Sequence, residues 1–341
     1  MRKIISIFMV IVILLGLPVT AAGSSQTELD RAVSRTAAYV LRNVKNPSVG
    51  SVGGEWAVIG LARSNHTVSD EYFRRYFRAV ERYVRENGGV LDARRLTEYS
   101  RVILGLTAAG FDPRDVAGFD LTLPLGDFDR TVFQGINGAI FALLALDSFD
   151  YEIPFNKNET QATRELFIEE ILRRQTRDGG WNLTAGATGE LSANEVGNAD
   201  LTGMALQALA KYRDCPDVYE AIERALAFLS RIQTRCGGFS GGFAENEPTL
   251  ESAVQVLVAL VELEIPLDDP RFVKNDNTVL DSVLSFQNPN GSFRHTRNSN
   301  ESNLMSTEMG LYGLVAAQRA AEGRNSLYRM SDTTIRGEFS Q

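Results

Sequence analysis

Six polar residues stand at the starts of six apolar stretches spread along this chain: Glu55, Glu98, Asn137, Asp200, Glu251 and Glu308. Five are acids, and carboxylates gathered at one place have three uses. A protonated one is a general acid. Ionised ones attract a cation or a ligand rich in N–H donors, which relieves their repulsion. At helix starts, acids answer the free N–H groups and the dipole, at ~0.3–1 kcal/mol each. Trp56, Tyr99 and Tyr312 lie close to them in sequence, and a polar rim above an apolar wall suits a small molecule. The candidate ligand-binding set is Glu55, Trp56, Glu98, Tyr99, Asn137, Asp200, Glu251, Glu308 and Tyr312, with plain helix capping as the competing reading of the acids.

Other chemistries find few carriers. The chain holds two His and two Cys, too few for a zinc site of those residues, so no metal and no cofactor are expected. Serine-nucleophile, phosphate-loop and two-His zinc motifs do not occur. Cys215 and Cys236 flank a stretch, 218–233, that a helix would extend over ~24 Å at 1.5 Å per residue. A disulfide tolerates ~7 Å between Cα atoms, so two free thiols are expected. The formal charge of −8 without a Lys/Arg-rich run argues against nucleic acid or an anionic membrane surface as partner.

The elements that would gather those residues are helices in a repeat. Gln175–Trp181, Gln233–Phe239 and Gln287–Phe293 share the pattern Q-x-x-x-G-x-(W/F). Each closes an amphipathic run. In 221–232, Ala221, Ile222, Ala225, Leu226, Phe228, Leu229 and Ile232 keep helical spacing, and the Gly beyond suits a helix stop. A more apolar helix rich in small residues follows each loop, starting near Asp200, Glu251 and Glu308. The same template fits at Glu55, Glu98 and Asn137, giving six copies spaced by 43, 39, 63, 51 and 57 residues. More polar helices precede them at 28–43, 69–86, 163–175, 218–233 and 278–287, with a short one near 114–119. Helices apolar on most sides must be covered on most sides. The expectation is an all-α protein, an α/α toroid of six inner and six outer helices over 27–321, without substantial sheet. An open solenoid is the competing arrangement. Trp181, Phe239 and Phe293 are expected to clamp the loops between outer helices, and 322–341 to be a polar, fraying tail.

The Q-x-x-x-G-x-(W/F) repeats resemble the QW motifs of the terpene cyclase and protein prenyltransferase superfamily, whose α/α toroid the cobalamin carriers share. The resemblance implies the toroid, and function must be argued from the site. Class II cyclases carry D-x-D-D at the start of an inner helix. Asn198-Ala199-Asp200-Leu201 keeps the central acid alone. By that resemblance Asp200 is the candidate catalytic acid; without flanking carboxylates it is expected to be ionised and to cap its helix. The prenyltransferase Asp-x-Cys zinc pair, the class I D-D-x-x-D and a cationic diphosphate pocket are all missing.

Arg2 and Lys3, the uncharged run 4–17 and Pro18–Gly23 form an export signal over 1–22. An uncleaved membrane anchor is the alternative, although a span needs about 20 residues. The expectation is a secreted or cell-surface toroid that binds a small molecule, cobalamin-like or isoprenoid, or a surface protein, without catalysis. Two alternatives stay open: a degenerate prenyltransferase or cyclase acting on an isoprenoid through Asp200, and a scaffold or adhesion module with a filled centre.

Overall fold

The computed structural model describes residues 22–157, 160–187, 189–192, 194–241 and 247–336. The expected signal segment falls, but for Ala22, outside the described residues. The chain runs through α1 (Ala22–Asn43), α2 (Trp56–Arg63), α3 (Asp70–Glu86), α4 (Leu96–Ala109), α5 (Phe128–Thr131), α6 (Ile136–Asp147), α7 (Arg164–Arg173), α8 (Ala199–Leu209), α9 (Pro216–Ile232), α10 (Leu250–Glu262), α11 (Val279–Leu284) and α12 (Leu304–Ala321). One two-residue hairpin, β1 (Phe239–Ser240) with β2 (Pro248–Thr249), precedes α10.

The even-numbered helices form the inner ring. Each packs on the next, and α12 packs back on α2, so the ring closes. Small residues make the approach possible. A Cβ on Gly203 of α8 would stand 2.7 Å from the backbone of Gln255 in α10, and one on Gly313 of α12 would stand 2.9 Å from Val254. The odd-numbered helices lie outside, where one expected helix is absent. Residues 114–119 form a tight turn in which Val116 and Phe119 exchange both backbone hydrogen bonds. Ala117 and Gly118 are left-handed there, a geometry a helix does not allow. Short helical turns over 123–134, including α5, fill that part of the outer layer.

The Q-x-x-x-G-x-(W/F) loops tie outer elements together. Gln175 Nε2 donates to the Gly179 carbonyl in its own loop and to the Ala221 carbonyl of α9, both at 2.8 Å. Gln233 does the same to Gly237 and Phe272, and Gln287 reaches Ala32 of α1 at 3.0 Å. That last bond closes the outer layer. Trp181, Phe239 and Phe293 are wholly buried, and their backbone or indole N–H groups are used: Trp181 N donates to Thr202 Oγ1 and Phe293 N to Thr307 Oγ1, both at 2.9 Å. Cys215 and Cys236 lie at either side of α9, and both thiols are free.

The C-terminal segment departs from expectation. Residues 325–336 cross the end of the ring where the inner helices finish. Leu327, Tyr328 and Met330 are buried. Arg63 at the end of α2 donates to the Ser326 and Arg329 carbonyls, Glu262 at the end of α10 accepts from Ser326 Oγ and Tyr328 N, and Met330 N donates to Ser148 O. Asp332 joins Arg63 and Arg319 in ion pairs. Leu327, Tyr328 and Met330 give the segment a core face that its polar composition hides.

Candidate functional site

Exposure along the buried inner helices locates a bowl at the other end. Each helix starts with a cap: Asn198, Thr249 and Asn303 accept from backbone N–H groups three residues on, and Arg95 and Gly135 occupy the same place on α4 and α6. Two and six residues beyond these caps, the side chains are at least partly exposed within helices otherwise almost sealed from solvent. These pairs are Thr97 and Arg101, Asn137 and Phe141, Asp200 and Met204, Glu251 and Gln255, Met305 and Met309. Val52 and Trp56 supply the pair ahead of and in α2. Positions four apart share one helix face, and here that face is the ring axis. Trp56 and Phe141, on helices that are not neighbours, meet at 6.2 Å between ring centroids, and Trp56 meets Tyr312 at 5.5 Å. The Trp56 and Phe141 rings form the floor. Below it Tyr312 is buried, its hydroxyl accepting from Gln255 Nε2 at 3.0 Å. Burial first, then the charges of nearby groups including Glu251 and Asp200, holds that phenol well above its usual pKa.

This register corrects the acidic ring. Asn137, Asp200 and Glu251 do occupy matching places and face the bowl. Asn198, rather than Asp200, caps α8, so Asp200 is not spent on capping. Glu98 lies one residue further along its helix, paired with Arg101 and Arg95. Glu308 lies three residues beyond the matching place, which Met305 holds. Glu55 and Glu308 are fully buried at the seam of α2 and α12, where they hold the turn ahead of α2: Gly50 N donates to Glu55 and Gly53 N to Glu308 at 2.9 Å. Tyr76 Oη and Arg101 Nε also reach Glu55, at 3.1 and 2.9 Å. Burial raises the Glu55 pKa despite Arg101. Burial pushes Glu308 up to about 8, the Gly53 amide opposing and the Glu55 charge adding to the shift. Tyr99 is also not in the bowl; its hydroxyl accepts from Leu91 N at 3.0 Å in the α3–α4 connection.

Several participants escaped the sequence. Arg101 sits at the bowl's lower tier, its guanidinium held by Glu55 and Glu98; an Arg inside an apolar helix was the available signal. Phe141 and Met204 read as ordinary core. His295 Nδ1 lies 2.7 Å from Glu251 Oε2, and Ser306 Oγ donates to the other oxygen of that carboxylate. The bowl therefore has a polar side, Asn137–Asp200–Glu251, and an apolar side, Met305–Met309–Val52–Trp56. Among the described residues no set of three His, Cys, Asp or Glu is placed to hold a metal ion, and no helix is long and apolar enough to cross a membrane.

A cavity of about 800 Å³ opens elsewhere, among α1, α12 and the α10–α11 connection, where α11 covers only six residues. Of the charged groups that line it, Arg324 pairs with Glu322, Arg329 pairs with Glu264, and Asp281 serves the capping box of α11.

Residues 204–312 match the family model described as the prenyltransferase alpha-alpha toroid domain. Among solved structures, the type II terpene cyclase MstE from Scytonema, bound to merosterolic acid A, is 14% identical, covering 87% of this chain and 99% of that one with a TM-score of 0.54. A protein geranylgeranyltransferase-I from Candida albicans bound to GGPP is 11% identical over 93% of this chain and 100% of that one, TM-score 0.55. A polysaccharide lyase is 12% identical over 87% and 97%, TM-score 0.56. No curated protein matches the chain. The fold is the α/α toroid of terpene cyclases and protein prenyltransferases, and at these identities the likeness concerns the fold alone.

Proposed function

We propose that this chain is an exported binding toroid, without catalysis, whose bowl takes a small ligand with an apolar body and a cationic or N–H-donating head. The observation that carries the reading is the division of the bowl. Asp200 and Glu251 on adjacent helices present carboxylates on one side, while Trp56, Met305 and Met309 present an apolar wall on the other. A head group near the acids and a body over the indole would relieve carboxylate repulsion and remove apolar surface from water, at ~25 cal/mol per Å². Aromatic faces such as Trp56 and Phe141 also attract cations. A diphosphate is the wrong sign: Arg101, the guanidinium of the lower tier, already serves Glu55 and Glu98.

Calorimetric titration with hexylamine, hexanol and hexyl phosphate tests this. The amine should bind most tightly and the phosphate not at all, and Asp200→Asn with Glu251→Gln should remove the amine's advantage. Equal binding of amine and phosphate would refute the reading. The isoprenoid reading draws on the apolar wall and on what the neighbours hold, GGPP in one and a merosterolic acid in the other. It requires product from a neutral polyprenyl substrate, lost in Asp200→Asn.

A further inference from the structure

Two side chains hold the Glu251 carboxylate in the bowl, and one of them titrates. Ser306 Oγ donates to Oε1, and His295 Nδ1 lies 2.7 Å from Oε2. Neither member of the His–Glu pair is sealed off: the His295 side chain is 39% exposed and that of Glu251 12%. The segment that carries the imidazole is pinned by its backbone. Arg294 N donates to the Phe286 carbonyl at 3.2 Å, Leu250 N donates to the His295 carbonyl at 3.0 Å, and Thr296 bridges to Thr249, the cap of α10. The fold thus sets His295 beside the first turn of α10.

The charged groups around the pair, among the described residues, come from four elements. From α8, Asp200 faces the start of α10: the place of a Cβ on Gly241 is 3.6 Å from Asp200 Oδ2 and 4.0 Å from Thr249 Oγ1. From α12 comes the buried Tyr312 phenol, held well above its usual pKa by burial first and then by nearby charges, Glu251 and Asp200 among them. Ahead of β2, Glu247 is exposed and accepts from Asn298. On the segment of His295 itself, Glu301 is exposed, Arg294 donates to the Ser285 carbonyl, and Arg297 donates to the Cys236 carbonyl and to Ser282. At the seam, Glu308 keeps its proton below about 8, and Glu55 is paired with Arg101. Imidazole is the one side chain in this set whose ordinary pKa, about 6.5, lies between those of carboxylates and phenols.

Building on the bowl reading, we infer that His295 sets the charge the bowl presents: a cationic head binds while the imidazole is neutral and is turned away once it is protonated. Neutral His295 donates its Nδ1–H to Glu251, and the carboxylate keeps its negative charge for a ligand. Protonated His295 is itself the cation on Glu251. The pair then carries no net charge, and an arriving ammonium meets a like charge beside the acid. Ligand and proton therefore compete, and by linkage each weakens the other by the same factor.

Two measurements on the full chain test this. Hexylamine, an ammonium throughout the range, is titrated by calorimetry between about pH 5 and pH 7.5. Its affinity should be about tenfold or more weaker at the acid end. His295→Gln keeps an N–H donor for Glu251 and loses the titration, and its affinity should vary by less than about twofold over the same range; far-UV circular dichroism checks that the variant is folded. The second readout needs only the native protein. The chain has two His, and His66 lies in the turn after α2, at the base, where its backbone N donates to Ser64 Oγ. Followed by NMR, the titration midpoint of the His295 ring should fall by about one pH unit in saturating hexylamine, while that of His66 stays in place. Equal amine affinity at both ends of the range, a pH dependence that survives in His295→Gln, or an unmoved His295 midpoint overturns the inference and leaves the bowl reading standing. An amine that binds at no pH overturns both.

Discussion

The two ends of the ring are built from the same six inner helices, yet they treat polar groups in opposite ways. At the base, Arg63, Arg319, Asp332 and Glu262 are drawn into a network that pins residues 325–336 across the opening, and nearly every group there has a fixed partner. At the mouth, successive turns of each helix leave one side chain reaching solvent, and the set mixes carboxylates, an amide, thioethers and aromatics. Buried charge with dedicated partners is what structure requires. Partly exposed polar and apolar groups converging on one hollow serve no packing purpose, and they are what a ligand requires. Polarity by itself thus does not mark a site, nor does pairing, since Glu251 and Arg101 have partners at the mouth as well; convergence of solvent-reaching groups on one hollow does.

Breaking the base should cost most. Arg319→Met leaves Asp332 with Arg63 alone and removes donors from the Asn325 and Arg63 carbonyls. A loss of ~3–5 kcal/mol is expected, read as a lower denaturant midpoint. A loss under ~1 kcal/mol would mean that the strap is decoration.

pH should separate the seam under the mouth from the base. Glu308 has a folded pKa of about 8 against 4.5 unfolded. The folded state binds the extra proton, so this contribution is complete below pH 4.5 and is lost as pH rises through 8, by at most about 1.4 kcal/mol per unit. Glu308→Gln should flatten that alkaline decline. Asp332 behaves inversely. Burial acts to raise its pKa, but the hydrogen bond and charge of Arg63, then Arg319, bring it below the usual value. Its contribution is present above the unfolded pKa and fades as the solution is acidified past it. Urea midpoints across pH 3–9 check both arms.

The smallest effect is expected in the bowl itself. Asp200→Asn and Met204→Ala should each change stability by less than ~1 kcal/mol, because both side chains face the bowl and neither is needed to cap a helix.

Much of this architecture is legible in the sequence because it rests on local rules. The Gln, Gly and aromatic of each loop act on the next outer element, so the motif recurs wherever that contact recurs, and inner helices declare themselves by being apolar all round. The register of the bowl was harder to read. Aligning the repeats on acids placed Glu55 and Glu308 at the mouth, whereas the geometry follows the caps Asn198, Thr249 and Asn303. A three-residue offset moves a side chain from the axis to the seam. Arg101 and His295 have partners, Glu55 and Glu251, 46 and 44 residues away, which no local pattern discloses. The strap over the base depends on charges at the ends of helices far apart in the chain, and so its polar residues read as a loose tail.

The chain has two tryptophans: Trp181, wholly buried in a loop clamp, and Trp56, partly exposed on the bowl floor. Tryptophan emission during a hexylamine titration tests the occupied-bowl account most directly. A saturable change that disappears in Trp56→Phe is the predicted result. An unchanged spectrum in a protein that calorimetry shows to bind the amine would place the ligand somewhere else and contradict it.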